Sequence, residues 1–223
     1  MIVHRPTNNA PQGNEGIVIE TLAARMKKAT GEIHNTVESR PFMKDLLNGK
    51  ITKEQYGQYL INLKCIYNAL EKGLKFNHLI SYIDPLHIPE LFRSEAIEND
   101  LVFFDTENMF PNEEALSHAS VIEFNSMYNP HLLIAHAYTR YLGDVFGGQH
   151  IYPAVADSFG EESTKFYQFN ELLDKYSFER PGAFGAHYRE LLNKLPLTPQ
   201  EKDEIVVEAI SAFELTDKML LNS

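Results

Sequence analysis

A chain of 223 residues, 43% of them hydrophobic, can bury one sizeable core, and no Gly/Ser- or Pro-rich stretch divides its middle, so one domain is expected. With 20 Lys+Arg against 31 Asp+Glu, the formal charge of −11 argues against a nucleic-acid role or adhesion to anionic lipid, both of which need cationic surface. Cys65 is the single cysteine, which excludes a disulfide framework or a Cys-based zinc site within one chain.

Residues 1–17 hold Pro6, Asn8, Asn9, Pro11, Gly13 and Gly16, and read as a flexible N-terminal extension. The stretch is polar and lacks the apolar run of a secretory signal. A helical domain is expected over 18–223. No run of about eighteen apolar residues occurs, and no hydrophobic anchor precedes Ser223, so a soluble, cytoplasmic protein is expected.

The first helix shows in Leu22, Met26, Ala29, Ile33 and Val37, which step by three or four along one face, and Pro41 stops it. Thr52-Lys-Glu-Gln55 is a capping box that opens a second helix, running to about Phe76. Its apolar face includes Tyr56, Tyr59, Leu60, Leu63, Tyr67 and Leu70. Asp84-Pro85 and Ile88-Pro89 mark a loop. A third helix is expected over about 89–104, a fourth over 113–128, and a long fifth from about His131 to Phe159, opened by Pro130. Further helical stretches are expected at about 161–175, 181–194 and 199–220, the last with Thr198 and Pro199 as N-cap and first residue. No strand or repeat emerges. The expected architecture is an all-α, single-domain bundle of seven or eight helices.

The segment LLIAHAYTRYLGDVFGGQHI, residues 132–151, is the most informative. It is helical in pattern yet contains Gly143, Gly147 and Gly148, each of which costs about 1 kcal/mol relative to alanine inside a helix. Residues four apart stack on one face, so Ala135, Thr139, Gly143 and Gly147 form a row of small side chains. His136, Arg140, Asp144 and Gly148 form the neighbouring, mostly polar row. Such a groove suits a flat ligand pressed against the backbone, and equally suits tight helix–helix packing. No strand precedes the glycines and no Gly-Lys-Ser/Thr follows, which argues against a phosphate loop.

HAYTRYLGD followed by GGQ resembles the signature of the haem oxygenase family, in which this helix lies over the distal face of haem. MKKATGEIHNTVES, LKCIYNALE, PELFRSEAIENDLVFF and LLNKLPLTPQEKDEIVVEAISAFELT resemble further family segments in the same order, covering roughly residues 20 to 220. The resemblance implies a haem oxygenase fold, with haem (iron protoporphyrin IX) and O2 consumed to give biliverdin, carbon monoxide and ferrous iron. The chain carries no flavin or nicotinamide motif, so electrons would come from a ferredoxin-like protein or a flavin reductase.

Nine histidines are present, and the residue pattern alone leaves His34 and His136 as haem ligands. Glu38, one turn after His34, suits the carboxylate that fixes the tautomer of a metal-bound imidazole. The family pattern matches His34 to the proximal iron ligand and His136 to a structural residue. On the distal side it implies Asp144 as the anchor of a proton-delivering water network, with Arg140 holding its carboxylate and Tyr67 in the same network. It further implies Gly143 and Gly147 beside the ring, with Gly148 next in that wall. Lys27, Tyr138 and Arg189 would contact the propionates, and Phe213 would form an apolar wall.

Two departures from the family pattern stand out. Val145-Phe146 replaces a common Leu-Ser, so Phe146 is expected to narrow the pocket or tilt the haem. A propionate-side lysine falls at Gly185, with Arg180 as its replacement. These departures motivate a second reading, a haem-binding carrier or sensor without turnover. A di-iron protein would need Glu-x-x-His pairs, and the chain has none.

Overall fold

The computed structural model describes residues 20–221, so the expected extension at 1–17 lies outside the described residues. Nine α-helices follow in order: α1 (Leu22–Ser39), α2 (Pro41–Leu47), α3 (Lys53–Phe76), α4 (Ser94–Leu101), α5 (Glu113–Tyr128), α6 (Leu133–Phe159), α7 (Asn170–Tyr176), α8 (Pro181–Lys194) and α9 (Pro199–Leu221). No strand occurs among the described residues. The all-α bundle expected from the sequence is therefore what forms, with one or two more helices than anticipated.

Local chemistry sets the boundaries. Thr21 caps α1 by accepting a hydrogen bond from Ala24 N, and Asn112 caps α5 through Ala115 N at 2.8 Å. The Thr52–Gln55 capping box forms as the sequence spells it, each side chain accepting the other's backbone N–H at 3.1 and 3.0 Å. Pro41 ends α1 but also starts α2, since its missing N–H costs nothing in a first turn.

Two expected helices are shorter than their patterns. The stretch expected over 89–104 forms a 3-10 turn at Pro89–Leu91 and then α4, beginning at Ser94. Buried Glu71 of α3 accepts the backbone N–H groups of Arg93 and Ser94, and the Arg93 guanidinium donates to the carbonyls of Glu90, Leu91, Phe92 and Gln168. Those bonds satisfy the backbone groups that a continued helical turn would otherwise engage. The stretch expected over 161–175 breaks into two 3-10 turns before α7. There Asp100 accepts the N–H groups of Lys165 and Phe166 at 2.7 and 2.8 Å, pinning the second turn against α4.

The core runs the length of α6, which packs against α9, α8, α2 and α3, while α3 lies along α5 and α1 lies along α9. Close approach of α3 to α5 depends on Gly73: a Cβ there would meet Ser126 at 3.2 Å. The consequence for function is a spacing. α1 and α6 share α8 and α9 as neighbours but scarcely touch each other. No described helix is long and apolar enough to cross a membrane.

Candidate functional site

α6 carries the glycine positions that the sequence singles out. A Cβ added at Gly143 or at Gly147 would meet nothing within 4 Å, so bare helix backbone faces open space at both positions. Gly148 differs. A Cβ there would lie 2.7 Å from Tyr167 Cδ1, so this glycine admits an aromatic ring and serves packing rather than the open side. The resemblance implies Gly148 next in the ligand wall; its close contact with Tyr167 instead gives it a packing role.

Asp144 lies between these glycines. Tyr67 of α3 donates a hydrogen bond from its hydroxyl to Asp144 Oδ2. The residue is half-buried, and desolvation of its carboxyl group pushes the pKa well above the usual range. The expected ion pair with Arg140 is not formed: no N–O distance of 4 Å or less links the two among the described residues. Arg140 is itself buried, one turn earlier, with its guanidinium near Tyr59 and Tyr167. Its Nε has no protein partner within hydrogen-bond geometry, and the buried hydroxyls of Tyr56 and Tyr167 lie beside each other. The fields of Asp144 and Arg140 both reach the buried Tyr59 hydroxyl. Tyr56, Tyr59 and Tyr167 thus join Asp144, Arg140 and Tyr67 in one polar pocket inside the core.

Sequence reading missed Tyr59 and Tyr56 as site residues because their spacing made them part of an apolar helix face. Only their hydroxyls hinted otherwise, since a buried tyrosine hydroxyl usually finds a partner. Tyr167 lies in a segment expected to be helical and gave no signal at all.

The two candidate iron ligands are separated by their environments. His136 is fully buried, with Nε2 at 2.8 Å from Glu208 Oε1 and Nδ1 at 3.3 Å from His118 Nε2. Both ring nitrogens are engaged by protein, so no lone pair is free for a metal. Burial beside His136 holds His118 well below the usual histidine range, hence neutral. His34 on α1 is instead 47% exposed, with Nδ1 at 3.6 Å from Glu38 Oε2. Its ring meets Phe213 of α9 edge-on at 5.6 Å between centroids.

At the other edge, Tyr138 of α6 is buried, and the nearby positive charge of Arg189 opposes the rise that burial imposes on its hydroxyl pKa. Lys27 is exposed on α1, without an ion pair among the described residues. Arg180 stands exposed at the N-cap of α8. Phe146 turns its ring to α8, against Gly182 and Gly185, instead of toward the open space at Gly143 and Gly147. A separate, polar cleft of about 740 Å³ opens around Glu71, Lys75, Glu90 and Arg93, and contains none of the expected site residues.

Comparison with known proteins agrees with this geometry. A family model described as heme oxygenase matches residues 20–222. A curated heme oxygenase of Rhodella violacea is 33% identical over 211 residues, covering 91% of this chain and 87% of its own. Among solved structures, heme oxygenase-2 of Synechocystis in complex with heme and NO superposes with a TM-score of 0.83 at 32% identity, over 91% of this chain and 84% of its own. Heme oxygenase-1 of Synechocystis in complex with heme gives 0.82 at 28% identity, over 91% of each chain.

Proposed function

The chain belongs to the haem oxygenase family, and on that premise we propose that it binds haem between α1 and α6 and opens the ring with O2, giving biliverdin, carbon monoxide and ferrous iron. One observation carries the reading: two glycines present bare backbone to open space on either side of a half-buried carboxyl bonded to a buried tyrosine, on a helix held apart from the one bearing an exposed histidine. A flat macrocycle is the kind of ligand that such a slot fits.

Bound haem would supply both the iron at which O2 is activated and the ring that is oxidised. His34 is the proposed iron ligand, its Nδ1 3.6 Å from the Glu38 carboxylate, the kind of group that orients a metal-bound imidazole. A neutral imidazole pushes less electron density onto iron than a thiolate would, a condition that suits ring oxidation. Phe213 supports the imidazole edge. Gly143 and Gly147 let the ring approach the α6 backbone.

Asp144 holds a proton on the distal side because burial favours its neutral form, and Tyr67 orients it. Arg140 Nε, which lacks a protein partner, and the neighbouring Tyr56 and Tyr167 hydroxyls suit ordered water that relays protons to Asp144 from deeper in the core. Tyr138, Arg189 and Lys27 are the proposed propionate contacts, and they neutralise charge locally in an acidic chain. Electrons come from a separate ferredoxin-like protein or flavin reductase, and the protein works in the cytoplasm. The carrier reading loses its main motive, since Phe146 lodges against α8 rather than in the gap.

Haem titration of the wild type and His34→Ala tests the site. The wild type should develop a Soret band of histidine-ligated haem and lose it on addition of O2 and reductant. His34→Ala should lose that ligation spectrum and recover it with added imidazole. An unchanged spectrum in the variant would remove His34 from the iron.

A further inference from the structure

Phe146 and Gly185, the two departures from the family pattern, meet in space. A Cβ built on Gly185 would fall 2.0 Å from Phe146 Cζ and 2.3 Å from Cε2, so any side chain at 185 would occupy the volume of the ring. Gly182, one turn earlier on α8, leaves a further gap, its Cβ position being 3.7 Å from Phe146 Cε1. The ring therefore sits in a notch made by two glycines of α8. Its face is also used. The Arg189 guanidinium carbon, one turn beyond Gly185, stands 4.8 Å from the ring centroid. Arg189 is half-buried there and its charge is felt by Tyr138.

We propose that Phe146 is a positioning residue for Arg189. Held in the Gly182–Gly185 notch, its ring carries the guanidinium at the edge of the α1–α6 gap, beside Tyr138, where it meets a carboxylate of the bound ligand. Identifying that carboxylate as a haem propionate rests on the function proposed above. The physical reasoning is general. A long, flexible arginine loses rotamer freedom when it binds, and an aromatic face that already holds the guanidinium removes part of that loss. The ring quadrupole favours the cation without neutralising it, leaving the N–H groups free for an anion. A cation at position 185 and a ring at 146 cannot coexist, so this chain has replaced a second cation with a support for the first.

The test is a double-mutant cycle on haem affinity, read from equilibrium Soret titrations of wild type, Phe146→Leu, Arg189→Gln and the double variant. Leucine keeps the notch apolar and removes the π face. Phe146→Leu should weaken haem binding by about threefold to tenfold, the range of such a cation–π contact. The double variant should bind no worse than Arg189→Gln alone. The ratio of biliverdin isomers after turnover should shift in the same direction in both single variants, which a merely structural role for the ring would not cause. Losses that multiply in the double variant, or wild-type affinity in Phe146→Leu, would overturn the proposal.

Melting of the haem-free proteins checks the notch independently. Gly185→Ala should lower Tm, and Phe146→Leu/Gly185→Ala should recover much of the loss, whereas equal loss in both backgrounds would contradict the packing. A wild type that binds no haem overturns the ligand assignment itself, and a wild type that binds haem with an additive cycle overturns only the role of Phe146.

Discussion

Asp144 takes its charge state from packing rather than from a partner cation. With Arg140 turned toward Tyr59 and Tyr167, burial alone raises its pKa, and the Tyr67 hydroxyl orients it. A carboxyl raised in the folded protein stabilises the fold where it is protonated in both states. That contribution is fully present below the unfolded pKa, near 3.8, and is lost as pH rises through the folded value. Asp144→Asn, which keeps an acceptor for Tyr67 but cannot ionise, should be more resistant to urea than wild type near neutral pH, with the advantage fading toward about pH 4. The same variant should bind haem normally and lose turnover by about a hundredfold or more, the usual contribution of a positioned proton donor. Equal urea midpoints across pH would contradict the burial argument, and retained turnover would remove Asp144 from proton delivery.

The element that carries most of the proposed site is α6, and its three glycines differ in what surrounds them. Gly143→Ala meets no atom, so the haem-free protein should hold or gain stability, by up to about 1 kcal/mol from helix propensity. Its haem complex should bind more weakly, because the methyl group enters the slot. Gly148→Ala should instead lower stability by about 1–3 kcal/mol, since its methyl overlaps the Tyr167 ring. Denaturant unfolding of the two variants side by side reads this contrast, and similar losses in both would refute it. Much of α6 was legible in the sequence: the helix and the row of small residues follow from spacing by four, and the resemblance adds Gly143 and Gly147 as the pair proposed to face the ligand. The assignment of Gly148 was not, because helical spacing says which residues share a face and nothing about what another element brings to it. The short α4 and α7 were hidden for the same reason. Glu71 and Asp100 look like ordinary charges, and only the fold brings them to the backbone groups of Arg93, Ser94, Lys165 and Phe166. Phe146 looked like an obstruction because its own segment gives no sign of the glycine notch, which α8 supplies thirty-odd residues later.

At the scale of the whole molecule, α9 and α8 act as spacers that hold α1 away from α6. The link from α6 to α9 includes a buried polar cluster, His136 with Glu208, His118 and Asn125. His136→Ala should therefore weaken the bundle, by about 1–3 kcal/mol for stranded buried partners, while leaving the spectrum of ligated haem unchanged. A changed ligation spectrum would instead bring His136 back as the iron ligand. Far from this cluster, α1 joins α9 through the short contacts of Arg40 with both Asp217 oxygens, at 2.6 and 2.5 Å. The spacing of α1 and α6 thus depends on contacts at the middle and near the C-terminal end of α9. The central claim is that this spaced pair of helices degrades haem rather than merely holding it. Chromatography of the products formed by the purified protein with haem, O2 and an electron donor tests that claim most directly. Loss of the Soret band with biliverdin as the product is expected; a persisting Soret band, or haem decay without biliverdin, would rule out haem degradation by this protein.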